Sequence, residues 1–120
     1  MVTKQELLRD RSKRFAILIV KLVQSLPRTE EARIIGRQLL RSATSVAANY
    51  RAVGRSRSRA EFISKLGTVV EEADETVFWL EMLVDTEVAQ SSDIEPLRAE
   101  ANELLAIFAA SQRTAKSHRK

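Results

Sequence analysis

Cysteine is absent from the 120 residues, and glycine and proline occur only three times and twice. Without cysteine the chain has no disulfide, no thiolate metal ligand and no thiol nucleophile, and a cytoplasmic location is expected. So few glycines and prolines leave little material for the tight turns that a β-sheet requires. Because the helix formers Ala, Leu, Arg and Glu are abundant, the composition predicts an all-α protein.

Histidine occurs only once, at position 118, and this scarcity limits the chemistry available to the chain. Di-iron bundles require Glu-x-x-His pairs on two helices, which one histidine cannot supply. No glycine-rich phosphate loop or nucleophile elbow is present. Glu71, Glu72, Asp74 and Glu75 form a carboxylate cluster, but a structural role is favoured because a cation needs more ligands. We therefore expect no metal, no organic cofactor and no enzymatic activity.

Long apolar runs are also missing, since the longest, from Phe15 to Val20, ends at Lys21. A membrane-spanning helix needs about 20 consecutive apolar residues, so no membrane partner is expected. A chain of this length can bury one hydrophobic core, and we expect residues 1–120 to form a single domain.

Four amphipathic segments follow one another, and each begins with a residue that commonly caps a helix. These caps are Thr3, Thr29, Ser58 and Ser92, and all but Thr29 have a glutamate at the capping-box spacing. The predicted helices span about 4–26, 30–53, 59–85 and 93–113, with a basic tail over 114–120. Short links make neighbouring helices antiparallel, so the pattern predicts an up-down-up-down four-helix bundle.

Apolar residues recur at intervals of three and four, which places them on one face of each helix. The predicted inward face of helix one consists of Leu8, Phe15, Leu18, Ile19, Leu22 and Leu26. That of helix three consists of Ile63, Leu66, Val70, Ala73, Val77, Leu80 and Val84. Helix three carries further bulky residues beside this face, and three lie close together: Phe78, Trp79 and Met82. Because large apolar patches mark interfaces, we expect these three to join subunits of a homo-oligomer.

Charge is divided unevenly along the chain. Residues 1–60 carry 14 basic and 4 acidic side chains, a net +10, whereas residues 61–120 carry 6 and 12, a net −6. Part of this charge can be compensated by ion pairs within the bundle. Arg37 and Arg41 of helix two are well placed to pair with Glu71 and Glu75 of helix three.

In an up-down-up-down bundle, the start of helix one, the link between helices two and three, and the end of helix four meet at one end. We call this end the basic pole. Its cations are candidate ligands for RNA or DNA phosphates: Arg9, Arg11, Lys13, Arg14, Arg51, Arg55, Arg57, Arg59, Arg113, Lys116, Arg119 and Lys120. The opposite end is expected to be acidic, through Asp85, Glu87, Asp93 and Glu95.

Two functions of different class remain open on these grounds. The first is a nucleic-acid-binding oligomer that grips the phosphate backbone without reading the bases, because the basic pole has few aromatic residues for stacking. The second is a protein-interaction scaffold, in which the basic and acidic halves pair within or between subunits, or with an unidentified protein partner.

Three stretches of the sequence carry a family resemblance: Gln38 to Arg51, the turn from Gly54 to Ser58, and the run from Phe62 to Leu80. They resemble the bacterial four helix bundle protein family, whose members include proteins encoded in intervening sequences of 23S ribosomal RNA genes. The likeness extends from about residue 15 to about residue 105. The family motif falls on Gln38, Arg41, Ser42, Ser45, Asn49, Glu71, Glu72 and Glu75.

This resemblance implies a homopentameric ring with a role in RNA binding or ribosome-related biology. A relative of similar architecture, the accessory variability determinant of diversity-generating retroelements, binds both nucleic acid and its reverse transcriptase. The motif residues are polar and lie beside the apolar seam, so pairing between helices is their first interpretation.

Overall fold

A computed structural model gives the structure of residues 1–118. Four helices make up this part of the chain: α1 (Lys4–Gln24), α2 (Glu30–Val53), α3 (Arg59–Asp85) and α4 (Ser91–Ser117). No strand occurs between residues 1 and 118, and the molecule measures 50 × 28 × 20 Å along its principal axes. The predicted all-α class and four-helix bundle are confirmed.

Side-chain caps fix the start of the first three helices. The Thr3 hydroxyl accepts a hydrogen bond from the Glu6 backbone N–H at 3.0 Å, and Glu6 accepts one from the Thr3 N–H at 3.1 Å. This reciprocal pair satisfies two backbone donors that a helix N-terminus otherwise leaves unpaired. The Thr29 and Ser58 hydroxyl oxygens cap α2 and α3 by accepting from the Ala32 and Glu61 backbone N–H groups. The predicted box at Ser58 is only half formed, because the Glu61 carboxylate accepts from the Arg57 N–H instead.

The predicted start of α4 is wrong. The helix begins at Ser91 rather than residue 93, and its cap is Gln90, which makes no side-chain capping bond. The Ser92 capping box therefore does not form, because Ser92 is already inside the helix. Pro96 consequently lies in the second turn, where its missing N–H leaves the Ser92 carbonyl without the usual helix donor.

Two other helix ends differ from the prediction. α1 stops at Gln24, and at its C-terminal cap the Ser25 hydroxyl and N–H both donate to the Leu22 carbonyl, at 2.7 and 3.0 Å. α4 continues to Ser117, so most of the predicted tail over 114–120 is helical. Residues 114–120 contain no glycine or proline, so this segment has no helix-breaking residue that would end α4 earlier.

Side-chain pairs establish that neighbouring helices are antiparallel. The Thr76 hydroxyl donates to Ser42 at 3.0 Å, whereas Glu72, one turn earlier in α3, accepts from Ser45, one turn later in α2. The packed pairs are α1–α2, α2–α3, α3–α4 and α4–α1, so α1 and α3 occupy diagonal corners. α1 and α4 touch least, and a groove of about 980 Å³ opens between them.

The core lies along the bundle axis and contains the predicted stripes, with two differences. Leu18 was expected inside but is 49% exposed, because it lies about 100° around α1 from Ile19, on the flank beyond the buried residues. On α3, Val69 and Leu83 are fully buried, whereas Val70 and Val84 are only half-buried. α3 packs against both α2 and α4, so its buried face is broader than the seam of a two-helix contact.

Candidate functional site

The start of α1, the link between α2 and α3, and the end of α4 meet at the basic pole, as the topology requires. One small cavity there is lined by Gln5 of α1, Gly54 of the turn, Arg59 of α3 and Ala115 of α4. The Arg59 guanidinium also donates to the Ala115 carbonyl at 3.4 Å, which ties the start of α3 to the end of α4.

A groove of about 810 Å³ between α1 and α2 lies at this pole, beside the larger groove between α1 and α4. We call the α1–α2 groove the basic groove. Its basic side chains are Arg9 and Lys13 from α1, Arg51 from α2, and Arg55 from the turn that follows α2. Small side chains line it between these walls, namely Ala16, Ala47 and Ala48. Because the alanine side chains are short, they leave space between the two helices, and the longer cationic side chains can reach a ligand that lies there.

The acidic residues at the basic groove do not cancel its charge. Two carboxylates, Glu6 and Asp10, line the groove against four cations, so its net charge stays positive. Asp10 lies 3.6 Å from the Arg9 guanidinium. In contrast, Lys13, Arg51 and Arg55 are exposed, and they make no ion pair with any residue from 1 to 118. These three cations are the groups of the groove best placed to meet an anion.

Arg11 differs from the other predicted phosphate-binding cations, because it is already paired within the bundle. Its guanidinium contacts both carboxylate oxygens of Glu100, at 2.6 and 2.7 Å, and lies 3.0 Å from Glu103. The hydrogen bonds to Glu100 raise the pKa of Arg11, and both partners come from α4. Arg11 therefore joins two helices, and its charge is already compensated.

The other predicted cations are dispersed over the pole. Arg14 and Arg59 line the α1–α4 groove. Arg57, in the turn between α2 and α3, lies 3.5 Å from Glu61 in the first turn of α3. Arg113 and Lys116 are exposed on α4 and line none of the cavities at this end. The predicted residues Arg119 and Lys120 lie outside the described part of the chain.

Tyr50, the single tyrosine of the sequence, lines the groove but is too buried to stack on a nucleobase. Its ring packs 5.2 Å from that of Phe108, centroid to centroid, and the residue is only 7% exposed. Burial raises the pKa of its hydroxyl group. A ligand in the basic groove would therefore be held through its charge rather than through stacking.

The motif residues of α2 and α3 form a polar ladder between those two helices. Arg41 pairs with both Glu72 and Glu75, and Glu72 also accepts from the Ser45 hydroxyl. Hydrogen bonds from Arg41 and from the Trp79 indole lower the pKa of Glu75. These contacts occupy two members of the predicted carboxylate cluster.

Arg41 and Glu75 form the expected pairing between α2 and α3, whereas Arg37 and Glu71 take no part in it. Both side chains are exposed, and neither makes an ion pair within residues 1–118. Glu72, Glu75 and Trp79 follow at intervals of three and four, so they share the face toward α2, whereas Glu71 is turned about 100° away from Glu72.

The predicted interface residues are unequally exposed. Phe78 is 48% exposed, whereas Trp79 and Met82 are half-buried and pack against the core. The rings of Phe78 and Trp79 meet edge to face, with centroids 4.8 Å apart. Trp79 thus has a structural role within the subunit, and Phe78 is the member of the set that projects into solvent.

The end opposite the basic pole is not uniformly acidic. Asp85, Glu87, Asp93 and Glu95 are exposed there as expected. However, the α1–α2 connection lies at the same end, and its cavity is lined by the basic residues Arg28, Arg33 and Arg37. The charge is therefore divided between an α1–α2 layer and an α3–α4 layer, more than between two ends.

Residues 1–118 contain neither a metal-binding cluster nor a membrane-spanning helix. No three histidine or acidic side chains between residues 1 and 118 lie close enough together to hold a metal ion. No helix in the same range has the length and apolar character needed to cross a bilayer.

The four helices, with a cationic groove between α1 and α2, define a small four-helix bundle protein. A family model described as "23S rRNA-intervening sequence protein" matches residues 5–110. The chain belongs to this family.

A solved relative comes from Bacteroides thetaiotaomicron and is described as a protein of unknown function from the S23 ribosomal protein family. It is 33% identical and superposes with a TM-score of 0.85, covering 92% of this chain and 99% of its own. No curated protein matches the sequence.

Proposed function

We propose that this protein is a non-enzymatic homo-oligomer that binds RNA or DNA weakly, through contacts to phosphates in the basic groove. The observation that carries the proposal is the set of three unpaired cations, Lys13, Arg51 and Arg55, on the two walls of one groove. Guanidinium groups bind phosphate oxygens bidentately, and such contacts are independent of base sequence. The family resemblance, which implies a role in RNA binding, supports a polynucleotide ligand.

Oligomerisation is the second element of the proposal. The exposed Phe78 supports a subunit contact on α3, and the family resemblance supports a closed ring of five. A cyclic assembly would repeat the basic groove once per subunit, so that several weak phosphate contacts act together on one polymer.

A scaffold without nucleic-acid binding is the alternative, and one observation favours it. Arg11 and Arg41 are each held by two carboxylates of the α3–α4 layer, so part of the basic charge serves to join the two layers. The alternative predicts that the remaining cations are solvated and bind no polymer.

A filter-binding experiment on RNA and DNA oligonucleotides separates these functions. The groove variant is Lys13→Glu, Arg51→Glu and Arg55→Glu together. We expect the wild type to retain single strands at about 50 mM salt and to lose them by about 200 mM, since bound cations displace counterions. With three phosphate contacts removed, the slope of log affinity against log salt should fall by about 2.

The matched control changes Arg28, Arg33 and Arg37 to Glu, which alters the net charge equally at the opposite end of the bundle. We expect this control to retain nucleic acid like the wild type. Equal retention by the groove variant, or equal loss by both variants, would contradict binding in the basic groove. No retention by the wild type at low salt would favour the scaffold.

A further inference from the structure

α1 and α3 stand at diagonal corners of the bundle, and each turns an exposed apolar patch outward. On α1 the patch consists of Ile17 and Leu18, which are 46% and 49% exposed. On α3 it is Phe78, which is 48% exposed. Single apolar residues on a surface are ordinary, but the charged borders of these two patches have opposite signs.

The border on α1 is basic. Arg14 and Lys21 lie one turn before and after the patch, and both are exposed. α1 carries no acidic residue between Arg11 and Gln24. We call Arg14, Ile17, Leu18 and Lys21 the α1 basic face.

The border on α3 is acidic. Glu71, Asp74 and Asp85 are exposed and lie seven, four and seven residues from Phe78, so all four share one face of the helix. No lysine or arginine occurs in the sequence between Lys65 and Arg98. We call Glu71, Asp74, Phe78 and Asp85 the α3 acidic face.

We propose that the α3 acidic face of one subunit docks on the α1 basic face of a second copy of this chain. This inference rests on the oligomeric part of the proposed function and specifies its geometry. Phe78 meets Ile17 and Leu18, and the carboxylates lie against Arg14 and Lys21. Contact between two identical faces is disfavoured because like charges would be brought together.

The contact is heterologous, since each copy gives one face and receives the other. The two faces lie at opposite corners, so one subunit can use both at once. Repeating such a contact produces a ring when the rotation closes. The basic groove lies on the α2 side of α1 and shares Ile17 with the α1 basic face, whereas its cations Arg9, Lys13, Arg51 and Arg55 belong to neither docking face.

Mixing two singly blocked variants tests this polarity. Phe78→Asp blocks the α3 acidic face, and Ile17→Asp with Leu18→Asp blocks the α1 basic face. Each of these substitutions places a carboxylate in the apolar centre of the proposed contact, so we expect the association constant to fall at least about tenfold. Each variant alone should then sediment as a monomer. Mixed together, they should form a one-to-one heterodimer, because only one intact pair of faces remains.

Ile34→Asp is the matched control, since Ile34 is 52% exposed on α2 and lies outside both faces. This control should assemble like the wild type, and circular dichroism should show that all variants remain helical. If Phe78→Asp still assembles, or if the mixture stays monomeric while the wild type assembles, the proposed docking is overturned but oligomerisation stands. A monomeric wild type at micromolar concentration overturns both, whereas nucleic-acid retention is decided separately.

A charge exchange supplies a second readout. Glu71→Lys with Asp74→Lys should weaken assembly, because Arg14 and Lys21 would then face like charges. Adding Arg14→Glu and Lys21→Glu to the same chain should restore it. Failure of this restoration, with the helical content unchanged, would overturn the electrostatic part of the docking.

Discussion

The α1–α2 layer and the α3–α4 layer of the bundle differ in how they use charged side chains. In the basic layer most cations point to solvent, and Lys13, Arg51 and Arg55 line a groove without an ion-pair partner in residues 1–118. In the acidic layer the half-buried carboxylates Glu72 and Glu75 are bonded to a neighbouring helix. Cations of the basic layer are thus free to bind a ligand, whereas some carboxylates of the acidic layer form the ion pairs that hold the helices together.

The two layers are joined by three kinds of contact, and their removal should have unequal effects. The layers share an apolar core, a bidentate ion pair between α1 and α4, and the polar ladder between α2 and α3. Burial and solvent screening determine their relative strengths, so the core should matter most and the exposed pairs least.

Phe108→Ala should give the largest loss of stability. Phe108 of α4 is fully buried and packs on Tyr50 of α2, so the change removes apolar contact between the layers and leaves a cavity. We expect the free energy of unfolding to fall by about 3–5 kcal/mol. Leu7→Ala, at a residue 58% exposed, is the control and should change it by less than about 0.5 kcal/mol. Urea unfolding measures both, and a similar small loss in the two variants would show that the layers are not joined through this core.

Arg11→Met should have an intermediate effect. The methionine keeps the apolar stem but removes the guanidinium that Glu100 and Glu103 share. We expect a loss of about 1 kcal/mol at low salt and a smaller loss at high salt, because ions screen a partly exposed pair. Lys13→Met on the same helix is the control, and an equal loss there would mean that general charge rather than this pair is responsible.

The polar ladder should give the smallest effect, visible as a dependence on pH. The pKa of Glu75 is lowered in the folded state by Arg41, so its contribution is present above the unfolded value of about 4.5 and is lost as pH falls through the folded value. Between about pH 5 and pH 3, Glu75→Gln should flatten the decline in stability by roughly 0.5 kcal/mol.

Fluorescence of Trp79, the only tryptophan, can follow this unfolding because its indole N–H donates to Glu75. Arg41→Gln should flatten the decline similarly, and the double variant should add little to either single change. Additive effects would contradict a direct link between Arg41 and Glu75.

Sequence and structure agree best where a signal is local. The Thr3 and Ser58 caps and the α2 bounds are set by neighbours within one helical turn, so spacing alone predicts them. The Ser92 box fails although its spacing is correct, because the helix begins two residues earlier than predicted and Ser92 is no longer at its boundary.

The candidate site was predictable in part. Antiparallel topology is enough to gather cations at one pole, but it does not reveal which of them already have partners. Arg11 and Lys13 are two residues apart and equally basic, yet Arg11 faces α4 and is paired with two carboxylates, whereas Lys13 faces the groove. A residue separation of two on a helix turns a side chain through about 200°, so the outcome depends on which neighbour lies on each side.

The sequence by itself determined the helical class, the number of helices and the excess of positive charge in the first half, since composition, period and order along the chain are local properties. Only the tertiary structure decided that Glu72 rather than Glu71 pairs with Arg41, that Leu18 lies at the surface, and that alanines separate the two walls of the basic groove. These features depend on how each helix is rotated against its neighbours. That rotation is set by the packing of the whole core, which no single segment of the chain contains.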